Sequence, residues 1–136
     1  MPDPKVDRLA KVPLFSTCGK RELEFLASRA DEVSLEAGQT LIREGDPTES
    51  FFILVSGQVQ VIRNGKPMAR LGPGEFFGEI GMLDNGPASA TVVTESPAGA
   101  IVLSHAQFRD AIKANDKLAF QVIAAMAERL RANALA

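Results

Sequence analysis

The sequence predicts a mainly β fold with flanking helices: a β-roll, jelly-roll-like barrel set between N-terminal helices and a two-helix C-terminal segment. Three observations predict it. Seven or eight short apolar runs recur between residues 31 and 103, separated by turn residues. Asn64-Gly65 sits between Val59/Val61 and Met68/Leu71, the strongest short-range hairpin signal a sequence offers. At both ends the apolar period changes from two to between three and four. With 136 residues, 46% hydrophobic and 24% charged, the chain has the size and composition of one domain with its own core.

Residues 1–30 read as N-terminal helices. Val6, Leu9 and Ala10 form a short apolar stripe that Pro13 stops, and Ser16 or Thr17 is positioned to cap a second helix. On that helix Leu23, Leu26, Ala27 and Ala30 share a face. From residue 31 to 103 the pattern is that of the roll. Val33 and Leu35 alternate with polar neighbours, Ala37-Gly38 turns, Thr40–Arg43 is a short strand, and Glu44-Gly45-Asp46-Pro47 is a loop. Phe51–Val55 is an apolar run of buried-strand length, and Gln58–Arg63 follows Gly57. Ala90–Thr94 and Ala98–Leu103 are closing strands. Residues 104–136 are helical: Ser104 and Gln107 form a capping-box pattern, and Asp116 is positioned to cap a last helix running to about Ala134. On it Phe120, Ile123, Ala127, Leu130 and Ala134 fall at heptad-like spacing, while Leu118, Val122 and Met126 widen the apolar arc. One face suits the roll; the other suits a second copy of the helix.

Composition removes several functions. Fifteen Lys and Arg against 17 Asp and Glu give a net charge of −2, without the basic footprint that nucleic acid or an anionic membrane attracts. The first eleven residues alternate charges where a signal peptide needs an apolar run, and no apolar stretch is long enough to span a bilayer. A single cysteine, Cys18, fits a reducing compartment, so the expected location is cytoplasmic. One histidine, His105, makes no metal site with one distant cysteine; following a helix cap, it reads as an exposed first-turn residue. Glu75 and Glu79 lie four apart without a nucleophile, so catalysis has no support and no cofactor is implied. The residues after Ser104 are expected to form two helices, so no helix-turn-helix module is expected among them. Any output passes through a partner protein, or through a larger chain that includes this domain.

The informative stretch is Leu71 to Val93, LGPGEFFGEIGMLDNGPASATVV. It reads as strand, turn, one helical turn, loop and strand. The first amides of such a turn lack intrahelical partners and suit an anion, commonly phosphate. Glu79 does not suit phosphate, but a carboxylate there accepts hydrogen bonds from a sugar hydroxyl.

Phe-Gly-Glu-Ile-Gly-Met-Leu followed by Gly-Pro-x-Ser-Ala-Thr-Val resembles the phosphate-binding cassette, residues 72–92 here, of the cyclic-nucleotide-binding domain family. That family includes the bacterial catabolite activator protein and the regulatory subunits of protein kinase A. VPLF at 12–15, EGDP at 44–47 and FFILVSGQVQV at 51–61 look like its first helical segment and early strands. The resemblance implies cyclic AMP or cyclic GMP as candidate ligand. It implies that Gly78 and the backbone of Ile80 and Gly81 face the cyclic phosphate, that Glu79 binds the ribose 2′-hydroxyl, and that Ser89 with the Ala90 backbone lines the far side. The C-terminal helix in this family often forms a dimer seam or a moving lid.

One departure outweighs the agreements. The family pattern has an arginine directly after the proline, and here that position is Ala88. A guanidinium–phosphate contact is charge-assisted and often bidentate, so its loss costs about 2–5 kcal/mol. Arg70, one strand away, and Arg129 and Arg131 near the C-terminus are the named candidates to compensate. Nothing in the sequence places them at the pocket. Three bland readings stand beside the functional ones: Glu79 as a buried acid satisfied by backbone, Ser89 as a turn hydroxyl, and the last helix as a mere cover for the roll.

Overall fold

A computed structural model describes residues 4–132. The N-terminal segment forms α1 (Pro4–Ala10), a 3-10 turn (Pro13–Phe15) and α2 (Lys20–Arg29). Eight strands follow: β1 (Asp31–Leu35), β2 (Thr40–Ile42), β3 (Ser50–Ser56), β4 (Val59–Arg63), β5 (Lys66–Leu71), β6 (Phe76–Phe77), β7 (Thr91–Thr94) and β8 (Ala98–Ser104). A short helix, α3 (Glu79–Asp84), interrupts them between β6 and β7. Two helices close the chain, α4 (His105–Ala114) and α5 (Asp116–Arg131).

The strands form two four-stranded antiparallel sheets, ordered β1-β8-β3-β6 and β2-β7-β4-β5. This is the roll rather than a closed barrel, because each sheet keeps its own edges. Asn64 (φ 52°) and Gly65 (φ 76°) both take the left-handed conformation, as a two-residue hairpin turn between β4 and β5 requires.

Two cores divide the apolar residues. Between the sheets lie Leu54, Val59, Val61, Phe77, Val92 and Ala100, with Ala88 and Ala90. On the outer face of the first sheet, Phe51, Ile53, Ile101 and Leu103 pack against Leu14, Phe15, Leu26, Phe108, Leu118 and Val122. β3 therefore has both faces covered, which is why its sequence is continuously apolar rather than alternating. Phe51 stacks on Phe108 with centroids 4.1 Å apart, tying α4 to the sheet.

Three sequence expectations about helix starts are corrected. α2 is capped by Gly19, not Ser16 or Thr17; the Glu22 carboxylate accepts the Gly19 amide at 3.0 Å, while Pro13–Phe15 consumes the preceding residues in a turn of their own. α5 is capped by Asn115, one residue before Asp116, its side-chain oxygen accepting the Leu118 amide at 3.1 Å. His105 is buried, not exposed. Its position after the cap is as read, and the Ser104–Gln107 capping box forms, but the ring turns inward beneath α3. Ala134, expected near the end of α5, lies outside the described residues.

Candidate functional site

The segment 72–92 folds as read: a turn at Gly72-Pro73-Gly74, the two residues of β6, the helical turn α3, then an irregular run into β7. Glu75 stabilises the turn, its carboxylate accepting the Gly72 amide at 2.7 Å. Phe76 and Phe77 point to opposite sides of β6. Phe76 stacks on Phe51 at 5.3 Å on the helical side, and Phe77 stacks on Phe52 at 4.8 Å on the inter-sheet side.

Gly78 precedes α3 with φ 92°, a left-handed conformation that L side chains rarely adopt. A Cβ there would lie 2.5 Å from the Ser50 carbonyl oxygen. The close approach that glycine permits is thus between β3 and the cassette itself. His105 seals the same junction: its Nε2 lies 3.1 Å from the Ser50 carbonyl and 2.9 Å from the Gly78 carbonyl. Carbonyls only accept, so Nε2 carries a proton and donates to both. Burial pulls the imidazole pKa below its ordinary value, and the two carbonyl bonds oppose this in part.

Glu79 is fully buried in the first turn of α3. Its Oε2 accepts a hydrogen bond from Arg129 Nη1 at 2.8 Å, the arginine being only 12% exposed. Arg129 comes from the last turn of α5, also donates to the Phe76 carbonyl, and lies 4.1 Å over the Phe76 ring. Carboxylate, carbonyl and ring face together satisfy the guanidinium. Of the three cations named from the sequence, Arg129 alone reaches the cassette acid. Arg70 is exposed and pairs with Glu95 at 2.9 Å, and Arg131 is exposed. Beside the pair, a groove of about 620 Å³ runs between α5 and the β5–β6 connection, lined among others by Leu71, Phe76, Ala125, Glu128 and Arg129.

Ile80 is half-buried, and a Cβ added at Gly81 would lie 3.1 Å from Thr48 Cγ2 and 3.4 Å from His105 Cε1. Ala88 and Ala90 are buried in the inter-sheet core. The backbone of Ala88 is locked to the β2–β3 loop: its amide donates to the Asp46 carbonyl and its carbonyl accepts the Gly45 amide, both at 2.9 Å. Ser89 lies between the two alanines, its hydroxyl oxygen buried with no hydrogen-bond partner among the described residues. Its carbonyl accepts from Arg63 Nε at 3.0 Å. Arg63 lies outside the cassette, and its signal in the sequence is parity: on β4 it shares a face with Val59 and Val61, both in the inter-sheet core.

Among the described residues no group of three or more His, Cys, Asp or Glu is placed to hold a metal ion, and no helix is long and apolar enough to cross a membrane. A family model, the cyclic nucleotide-binding domain, matches residues 32–115. The cAMP-dependent protein kinase regulatory subunit of Aspergillus niger is 36% identical over 90 residues, which are 65% of this chain and 22% of that protein. The acetyltransferase Pat of Mycolicibacterium smegmatis is 40% identical over 93 residues, 65% of this chain and 28% of that protein. The chain spans about a quarter of the length of these curated relatives. The catabolite activator protein of Thermus thermophilus superposes with a TM-score of 0.78 at 29% identity, over 88% of this chain and 58% of that one. With the family model covering most of the chain and the cassette folded between β6 and β7, the protein belongs to the cyclic nucleotide-binding domain family.

Proposed function

We propose that the chain is a regulatory module that binds a cyclic nucleotide, cyclic AMP or cyclic GMP, with weakened affinity, and signals by moving α5. The observation that carries this reading is the Arg129–Glu79 pair. A ribose hydroxyl entering the cassette competes with Arg129 for the same carboxylate, so ligand binding and the position of α5 are linked. The helix shifts only as far as the ligand's preference for one arrangement over the other drives it. Ala88 weakens the site, because the cassette supplies no guanidinium of its own.

The role is binding rather than catalysis. Glu75 and Glu79 are occupied separately, one by the Gly72 amide and the other by Arg129, and form no acid–base pair. The output surface is α5. Phe120, Ile123 and Leu130 are 70%, 62% and 65% exposed at heptad spacing, with Ala127 exposed between them. That stripe suits a homodimer through α5, or an unidentified protein partner. With a net charge of −2, neither nucleic acid nor membrane is proposed as a partner, and a reducing cytoplasmic setting suits the single Cys18.

Titration calorimetry with cyclic AMP and cyclic GMP tests this reading. The wild type is expected to bind weakly, and Ala88→Arg to bind about 30-fold or more tightly. No heat from either protein at millimolar nucleotide overturns it.

A second reading is a ligand-free interaction module that kept the roll and lost sensing. It is favoured by the same contact, since Arg129 fills the place a ligand hydroxyl would take on Glu79. It expects no thermal shift with either nucleotide.

A further inference from the structure

We infer that Arg63 of β4 supplies part of the anion-holding role that the cassette lacks at Ala88. This deepens the ligand-binding reading above and rests on it. β4 keeps unbroken register with β7 through Ile62↔Thr91, so its alternation carries past Val61 and puts Arg63 on the inward side.

Its position is defined by contact. Nε donates to the Ser89 carbonyl at 3.0 Å, one peptide from Ala88. That bond fixes the plane of a group carrying five donors in a rigid fork. The hairpin beyond it is held by Glu44, whose carboxylate accepts the Asn64 amide at 2.9 Å. The same residue, Ser89, has a hydroxyl that is buried and without a hydrogen-bond partner among the described residues. A buried hydroxyl left uncommitted calls for an explanation, and a ligand oxygen supplies one. Cation and hydroxyl together are the set a singly charged phosphodiester uses. The arginine missing from the loop is thus replaced in part from the neighbouring strand.

Calorimetry with cyclic AMP, cyclic GMP and the uncharged nucleoside adenosine tests it, on the wild type, Arg63→Met, Arg63→Lys and Arg63→Met/Ala88→Arg. Circular dichroism melts check folding, and Arg63→Lys keeps the test alive if the methionine variant does not fold. Arg63→Met is expected to lose about 30-fold or more in cyclic-nucleotide affinity while adenosine binding changes less than about threefold. Arg63→Lys should lose part of the affinity, having charge without the fork, and Ala88→Arg should restore the double variant. Unchanged cyclic-nucleotide binding in both single variants, or an equal loss for adenosine, overturns the role of Arg63 and leaves the pocket reading standing. A silent wild type alongside a binding Ala88→Arg single variant does the same. Silence from all the proteins, Ala88→Arg included, removes the pocket reading and this inference with it.

Discussion

Arg129 in the last turn of α5 holds the fully buried Glu79 at 2.8 Å, a contact between residues fifty apart in sequence. Taking the guanidinium away from a buried carboxylate is expensive, so much of the arginine's contribution is the penalty it prevents. Arg129→Ala is expected to lower unfolding free energy by about 1–3 kcal/mol at neutral pH, measured by urea denaturation. Hydrogen exchange should rise in the last two turns of α5. In a Glu79→Gln background the same substitution should cost less, because the buried negative charge that Arg129 balances is gone. Equal costs in both backgrounds would mean that the two residues are not energetically coupled.

The Gly78 backbone makes a second, independent prediction. Gly78→Ala places a Cβ at a positive φ and 2.5 Å from a backbone carbonyl that cannot swing away. A loss of about 1–3 kcal/mol is expected from the strained conformation, with the clash pushing toward the upper end. Gly65→Ala provides the control. It also has positive φ, at 76°, but a Cβ there meets nothing within 4 Å, so its cost should be distinctly smaller. Denaturant midpoints of the two variants decide the point.

The α5 stripe predicts an oligomeric state. Sedimentation velocity should find the wild type as a dimer and Ile123→Glu or Leu130→Glu as a monomer. Both residues are more than half exposed, so neither substitution should change the melting of the isolated fold appreciably. A monomeric wild type at high micromolar concentration would remove the self-association reading and leave the stripe to another protein.

The sequence carried the local part of this structure well. Asn64-Gly65, the Ser104–Gln107 box and the break between β6 and β7 depend on residues a few positions apart, and each formed where its chemistry required. What it concealed were contacts made across the fold. Nothing local says that Arg129 rather than Arg131 turns toward Glu79; that follows from how Leu118 and Val122 seat α5 on the helical core. The inward turn of His105 depends likewise on two carbonyls from β3 and the cassette. Counting by twos along β4 from Val59 reaches Arg63, a charged residue on an otherwise apolar face that the hydrophobic pattern alone does not single out.

His105 gives a pH dependence with a definite sign. Burial lowers its pKa beneath the ordinary 6.5; the Gly78 and Ser50 carbonyl bonds raise it, Arg109 lowers it and Glu49 raises it, with burial prevailing. The folded protein therefore binds fewer protons at this site than the unfolded chain does, and stability rises with pH across that window. The contribution is whole above about pH 6.5, declines as pH falls through that value, and levels off once the folded imidazole also protonates. Urea unfolding from pH 7.5 to 5 should show this decline in the wild type. His105→Gln keeps a donor for the carbonyls but cannot titrate. It should start about 0.5–2 kcal/mol less stable and show a flatter profile. A variant whose stability falls as steeply as the wild type's over the same range would show that His105 is not the group responsible.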